Sequence, residues 1–385
     1  MRIKPFAVED WCNLYEYSSK YNLGETCVSS VSLDELFQLA GVDGDKVLKD
    51  FARKPLTYGD LEGNPVYRKE ISGLYRTIKP EHVVTSHGAA GANQFVFSAI
   101  IDEPGTHVVT ILPTYQQLYS IPEFLGADVD ILRLKKENSF LPDLDELRRL
   151  VRKDTKLIVI NNPHNPSGNL LPNSLLQNIV EIAKEVDAYL LCDETYRYLN
   201  HEDIYSESIA DLYDKGISVS SMTKVFSLAG LRTGWVAARD SDLLEALITY
   251  REYFIVSGSM FDEYIAGIAL EHKDALLARA KQLIYENNNI LCNWVKTQPH
   301  LHMVTPNAAT MAMIYYDYDV DSYAFCQALQ DQESVFLMPG ESFDLKERCF
   351  RIGYSCGKQE LEEGLAAMSR FLERASYPLV KGVER

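Results

Sequence analysis

Short apolar runs rich in β-branched residues recur between residues 80 and 240, and stretches of helical period separate several of them. The runs are HVVTS (82–86), HVVTI (107–111), VDILRL (129–134), KLIVIN (156–161), AYLLCD (188–193), ISVSS (217–221) and WVAAR (235–239). Helical patterns begin near Ala89, after Asp143 in DLDELRRLV, and after Pro172, where Leu175, Leu176, Ile179, Ile182 and Ala183 give NSLLQNIVEIAKEV an apolar face. Strands alternating with helices in this way predict an α/β fold whose mostly parallel, seven-stranded sheet lies between helices. Ligands of such sheets gather beyond the carboxyl ends of the strands. Residues that directly follow the apolar runs are therefore the first candidates for a site.

The pattern changes beyond residue 240. Segments 240–254 and 259–297 are rich in Leu, Ala, Glu and Lys, which favour long helices. Strands are expected near MAMIYY (311–316) and CFRIGYS (349–355), with a closing helix near 359–374. The chain is expected to divide into a large domain, residues 45–275, and a smaller α+β domain made of residues 1–44 together with 276–385. No internal repeat or low-complexity linker interrupts the pattern.

Composition narrows the classes of function. A net charge of −17, spread along the chain, denies it the basic footprint that nucleic acids and anionic membranes require. No run approaches the ~20 apolar residues of a membrane helix, and MRIKPFAVEDW lacks the long apolar stretch of a signal peptide. The seven cysteines, at 12, 27, 192, 292, 326, 349 and 356, form no CxxC pair. An odd number so arranged suits reduced thiols in a cytoplasmic protein better than a disulfide framework, and no metal site is expected.

Three segments carry chemistry. NNPHNPSG (161–168) follows the run KLIVI and must make a tight turn, given its prolines, glycine and asparagines. Asn165 either belongs to a plain strand-to-helix loop or aims its amide at a ligand over the sheet edge. Asp193 closes the apolar run AYLLC, where a carboxylate is costly to bury unless a cation or strong donor meets it. A buried acid that caps a helix is the alternative. Strand alternation turns Glu194 the other way, into a structural role, and returns Tyr196 to the surroundings of Asp193. In SSMTKVFSLAGLRTGW (220–235), Lys224 sits among small hydroxyl residues, with Arg232 following in GLRTG. Hydroxyls, a guanidinium and backbone N–H groups together suit a phosphate, which weakens the reading of Lys224 as an ordinary surface lysine.

Asn165, Asp193, Tyr196, Lys224 and Arg232 come in this order, each near the end of a predicted strand. Their order and spacing resemble the fold-type-I enzymes that use pyridoxal 5′-phosphate, in the class I/II aminotransferase branch of the aspartate aminotransferase superfamily. The likeness runs from about Leu56 to Tyr354. It implies that Lys224 holds the cofactor covalently and, once substrate displaces it, moves the 1,3-proton. Asp193 would keep the pyridine nitrogen protonated, so that the ring withdraws electrons. Asn165 and Tyr196 would bond the ring's phenolic oxygen, and Arg232 with Ser221 and Thr223 would grip the phosphate.

The same resemblance extends outward. SHGAAGAN (86–93) matches the family's strand-to-helix phosphate loop, in which Gly88, Ala89 and Ala90 would offer backbone N–H groups. Ala89 and Ala90 stand where relatives often carry serine or threonine. Tyr115, in LPTYQQ, matches the aromatic that stacks on the ring, with a core tyrosine as the competing reading. Tyr58, in TYGDLEGNPVYRKEI, resembles the tyrosine that reaches the phosphate of the neighbouring subunit, which implies a homodimer. Arg351, in CFRIGYS, resembles the arginine that takes the substrate α-carboxylate, a bidentate task for a guanidinium, and Asn165 would share in substrate binding. Arg197 and Arg251 are candidates for a second carboxylate only through their proximity to motif segments. GETCVSSVSLDELFQL (24–39) departs from the L-x-x-G-x-P string of many relatives. EDW (9–11) followed by the SSVS segment resembles capreomycidine synthase, a relative that cyclises through the same cofactor.

The activity so implied is transfer of an amino group between an α-amino acid and a 2-oxo acid by a ping-pong route. Carbon–sulfur β-elimination, or cyclisation of the capreomycidine-synthase kind, uses the same motifs and differs only in the substrate pocket. A non-catalytic regulator built on this fold would carry a DNA-binding helix-turn-helix, which the acidic sequence does not offer.

Overall fold

The computed structural model describes residues 3–201, 206–374 and 377–380. Its centre is a seven-stranded sheet of β1 (Val83–His87), β2 (His107–Leu112), β3 (Asp128–Arg133), β4 (Thr155–Asn161), β5 (Tyr189–Asp193), β6 (Gly216–Ser221) and β7 (Thr233–Ala238). The spatial order is β1-β7-β6-β5-β4-β2-β3. Neighbours from β6 to β3 pair in parallel, while β7 is antiparallel to both β6 and β1. An antiparallel neighbour needs no crossover helix. The chain leaves β6 at its carboxyl end and returns through the short loop that carries Lys224 and Arg232.

Alternate residues of the strands feed two cores, one on each face of the sheet. Ile158, Ile160, Leu190 and Cys192 join one cluster, and Leu157, Val159 and Leu191 the other. That two-sided burial explains why the strands read as near-continuous apolar runs. The seven predicted strands all form, within a residue or two of the expected bounds, and the sheet is the fold-type-I arrangement.

A second, antiparallel sheet contains β8 (Leu301–Met303), β9 (Met311–Tyr316), β10 (Met338–Pro339) and β11 (Cys349–Gly353), in the order β10-β11-β9-β8. The helices include α1 (Ala7–Tyr15), α2 (Gly88–Ile100), α3 (Lys273–Lys296) and α4 (Lys358–Arg374). The single helix expected over 259–297 is two, Met260–Glu271 and α3, broken at His272 with φ −110°. The first packs on the helix Pro65–Ser72 and the second on α4, so two packing partners set two axis directions. Uniform helix propensity carries no trace of that break.

Candidate active site

Strands β4, β5 and β6 end side by side, with Asn161 in register with Asp193 and Asp193 with Val219. A cavity of about 240 Å³ opens beyond these ends. Ala89, Ala90, Tyr115, Asn165, Asp193, Tyr196, Ser221, Thr223, Lys224, Arg232 and Arg351 all line it. Residues up to 262 positions apart in the chain thus meet at one sheet edge (Ala89 to Arg351).

One end of the cavity is built from α2, β7 and Arg232. His87, which precedes α2, makes no side-chain cap, so the first N–H groups of a 13-residue helix face the cavity uncapped. Gly88 has φ +64°, and a Cβ there would stand 3.0 Å from Arg232 Nη2. A Cβ on Gly234 would come within 2.4 Å of the Gly88 carbonyl carbon. The guanidinium therefore approaches the helix terminus more closely than any larger residue allows. Ser221 Oγ accepts from Thr223 N at 3.3 Å and borders the same end.

Asp193 occupies the middle. It is 6% exposed; Oδ1 accepts from the N–H (3.1 Å) and hydroxyl of Thr195, and Oδ2 from Asn93 Nδ2 at 3.4 Å. Burial raises its pKa above the usual range, against the pull of these donors and Lys224. The Oδ1 atom of Asn93 has no partner. Asn161 braces the next loop: its Nδ2 donates to Asp193 O at 2.8 Å and its Oδ1 accepts from Asn165 N at 2.6 Å. His164 ties that loop to the one bearing Tyr115, with Nε2 2.8 Å from Pro113 O and Nδ1 2.7 Å from Ser167 Oγ. Burial lowers its pKa to about 4, so the ring is neutral at working pH.

Lys224 Nζ lies 3.0 Å from Thr26 Oγ1, 3.1 Å from Cys27 Sγ and 3.4 Å from Glu25 Oε1. Burial works against its charge, but Cys27, Tyr196 and Glu25 outweigh that and hold the ammonium well above the ordinary lysine range. Burial pushes the Cys27 thiol up to about 11, which leaves Glu25 as the anion that matters at neutral pH. Burial opposes the Glu25 charge too, yet Lys224 and the N–H groups of Cys27 and Thr26 depress its pKa far below the carboxylate norm. Tyr196 Oη sits 2.9 Å from Thr26 Oγ1.

Arg351, on β11, is 5% exposed. Its Nη1 donates to Asn165 Oδ1 at 3.0 Å and its Nη2 to Gly24 O at 2.8 Å, while Nε has no partner. All its acceptors among the described residues are neutral. A buried guanidinium without an anion is prepared to receive one.

Three sequence candidates lie elsewhere. Tyr58 is 79% exposed and shares a shallow surface depression with Ile255 and Met260, so within one chain it is remote from the cavity. Arg197 pairs with Glu194 and lies over the Tyr75 ring, and Arg251 pairs with Glu263 and donates to Thr85 O. Neither arginine lines the cavity. Glu194 is structural, as strand alternation implies, accepting from Ser208, Ser218 and Ile209 N.

Sequence reasoning missed several lining residues: Glu9, Cys12 and Glu16 from α1 and its end, Glu25 and Thr26 from the segment after it, and Asn93 and Thr195. Asn93 had a signal, since it follows Ala89 and Ala90 by about one helical turn and so shares their face. Tyr115 both lines the cavity and donates its hydroxyl to Glu9 at 3.2 Å.

These groups fit pyridoxal 5′-phosphate. An uncapped helix terminus with Arg232, Ser221 and Thr223 suits a dianionic phosphate. A buried carboxylate that faces the cavity with no ion-pair contact among the described residues suits a protonated ring nitrogen, and a lysine amine stands in the same cavity to bond an aldehyde.

The chain matches the model of the family described as Aminotransferase class I and II over residues 49–368. It is 30% identical to capreomycidine synthase of Streptomyces vinaceus over 95% of its own length and 93% of that protein's. It is 28% identical to an aspartate aminotransferase of Pyrococcus horikoshii, covering 86% of this chain and 88% of the other. The crystal structure of a PLP-dependent aminotransferase from Streptococcus suis superposes with a TM-score of 0.94 at 39% identity, covering 97% of this chain and 99% of that one. With most of its length matched by the family and the cofactor's chemistry answered group by group in its cavity, the chain belongs to the class I and II aminotransferases and uses pyridoxal 5′-phosphate.

Proposed function

We propose that the protein transfers an amino group between an α-amino acid and a 2-oxo acid. The observation that carries this reading is Arg351, buried beside Lys224's cavity with only neutral acceptors and an unpaired Nε. Amino donor and oxo acceptor share the carboxylate such a group would bind, as a two-stage exchange requires. When bound, the cofactor supplies an electron sink for the bond broken at the substrate Cα. Asp193 would hold a proton at the ring nitrogen, Asn165 and Tyr196 would bond the ring oxygen, and Tyr115 would pack against the ring. Arg232, Ser221, Thr223 and the N–H groups of Gly88, Ala89 and Ala90 hold the phosphate. Lys224 Nζ would anchor the cofactor and, when released, would serve as the base that takes the proton from the substrate Cα. Arg351 fixes Cα toward Lys224 through the carboxylate.

The likeness to capreomycidine synthase over 95% of the chain supports a second reading, a cyclase on the same residues, and β-elimination stands beside it as a further variant. The test is a single turnover with amino donors, followed by addition of a 2-oxo acid. Oxo-acid-dependent return of the starting absorbance supports transfer. A product formed by loss of water or thiol, with no oxo acid consumed, supports cyclisation or elimination. Borohydride reduction and peptide mapping should place the cofactor on Lys224, and an adduct on another lysine rejects the assignment.

A homodimer belongs to this reading. Exposed Leu56 and Tyr58 share their depression with Ile255, which follows exposed Tyr253 and Phe254 in the chain, and an apolar face of this kind suits a subunit contact. The proposed boundary between the large and small domains, at 275/276, falls in the first turn of α3. A cytoplasmic location agrees with seven unbridged cysteines, and no described helix is long and apolar enough to cross a membrane.

A further inference from the structure

The cavity is lined by three cationic groups, Lys224, Arg232 and Arg351, and four carboxylates, Glu9, Glu16, Glu25 and Asp193. With cofactor and amino acid bound as proposed, every cation is taken. Arg232 meets the phosphate, Arg351 the substrate carboxylate, and Lys224 is bound to the cofactor at rest and must be a neutral amine, not an ammonium, when it is released to take the Cα proton. Asp193 is matched to the ring nitrogen. Glu9, Glu16 and Glu25 then face one space with no cation among them.

We infer that the side chain of the substrate is cationic, an ammonium or guanidinium received by Glu16 and Glu25 with Glu9 beside them. Glu25 is the most exposed to the change, because Lys224 at 3.4 Å is its only ion-pair partner among the described residues. Glu16 already responds to the crowding: burial, then the neighbouring Glu25 and Glu9 carboxylates, push its pKa up. Among the described residues, the Glu9 side chain accepts only the Tyr115 hydroxyl. Val8, Cys12 and Phe336 line the same space and offer an apolar wall to the methylenes of a long cationic side chain. Arg351, buried with an unpaired Nε, marks where the other end of the molecule binds. An acidic side chain would set a further negative charge against this group, and a neutral one would leave it unmatched.

The inference rests on the proposed binding of an α-amino acid at Arg351, and the experiment separates the two. Calorimetric titration of the holoenzyme would use α-methylornithine and its neutral counterpart α-methylnorvaline, neither of which has a Cα proton for Lys224 to remove. The measured quantity is therefore binding. The cationic ligand should bind at least about tenfold more tightly. Glu16→Gln and, independently, Glu9→Gln should each shrink that ratio severalfold. Equal affinities or a preference for the neutral ligand would overturn the inference; no binding of either would overturn the reading of Arg351 on which it rests, and the inference with it. A borohydride adduct on Lys224 in the same preparation shows that the cofactor assignment survives; its absence overturns that reading instead.

Discussion

Replacing Asp193 by asparagine tests the electronic half of the site without disturbing its shape. The variant retains the acceptor for Thr195 N, now at 3.1 Å from Oδ1. The new Nδ2 would face Asn93 Nδ2, at present 3.4 Å from the carboxylate, but Asn93 has an unpaired Oδ1 and can turn its amide to accept. The fold should therefore hold. What is lost is the charge opposite the ring nitrogen. A contact pair at ~4 Å with an effective dielectric near 20 is worth about 4 kcal/mol. Removing such an electrostatic stabiliser lowers kcat on the order of 10²–10³-fold.

Two measurements separate chemistry from folding. Stopped-flow half-reactions should show the loss in the proton-transfer step, with cofactor still bound. Thermal unfolding of the apoenzyme should show no penalty. Burial raises the Asp193 pKa above its ordinary 3.8, so the native state binds the proton more tightly than the unfolded chain, and wild-type stability falls as pH rises through that range. Asparagine is free of that loss, and its melting temperature should gain on wild type from pH ~4 upward. Near-normal turnover in Asp193→Asn would refute the ring-nitrogen role, whatever the stability data show.

Other outcomes arise from the same geometry. Arg351→Lys should raise KM for the amino donor by about 10²-fold, since an ammonium cannot span a carboxylate while also reaching Asn165 and Gly24; an unchanged KM rejects the carboxylate site. His164 has a depressed pKa, so the unfolded chain takes up its proton first and stability is lost as pH falls from 6.5 towards about 4. His164→Gln should show a shallower fall in melting temperature across that window, and identical slopes would contradict the buried neutral ring. Tyr58→Phe should weaken cofactor binding in the homodimer. In a heterodimer with Lys224→Ala subunits, the site with an intact lysine should recover wild-type affinity if Tyr58 crosses the interface, and stay weak if it does not.

The inner parallel strands of the central sheet were legible because strands buried on both faces must be written as near-continuous apolar runs. The residues of the cavity were legible for a related reason: Asn165, Asp193, Lys224 and Arg232 each sit within a few residues of a strand end and all line it, so knowing the strands nearly locates the cavity. Tertiary choices were not legible. The break at His272 comes from two helices taking different packing partners. The helix Leu33–Ala40 is a different case: it went unread although Ser32 and Glu35, which form its capping box, carry a local signal of its start.

The N-terminal segment shows where sequence reasoning ends for physical reasons. Residues 23–31 have no periodicity because they pair with no sheet face; they are threaded between elements that lie hundreds of residues later. Val28 N donates to Lys224 O at 3.1 Å and Val31 N to Ser227 O at 3.1 Å, while Gly353 N donates to Leu23 O at 2.7 Å and Ser29 N to Ser355 O at 2.9 Å. One strip of backbone thus joins the loop of Lys224 to the strand of Arg351, and carries Glu25, Thr26 and Cys27 to Lys224 between those ties. A Cβ on Gly353 would meet Glu25 O at 1.9 Å, so the glycine in CFRIGYS is explained by a neighbour that no local pattern announces. Motifs at strand ends record the chemistry shared by a family; Glu25, which we infer to meet the substrate side chain, arrives on a segment whose only organisation is the set of partners it touches.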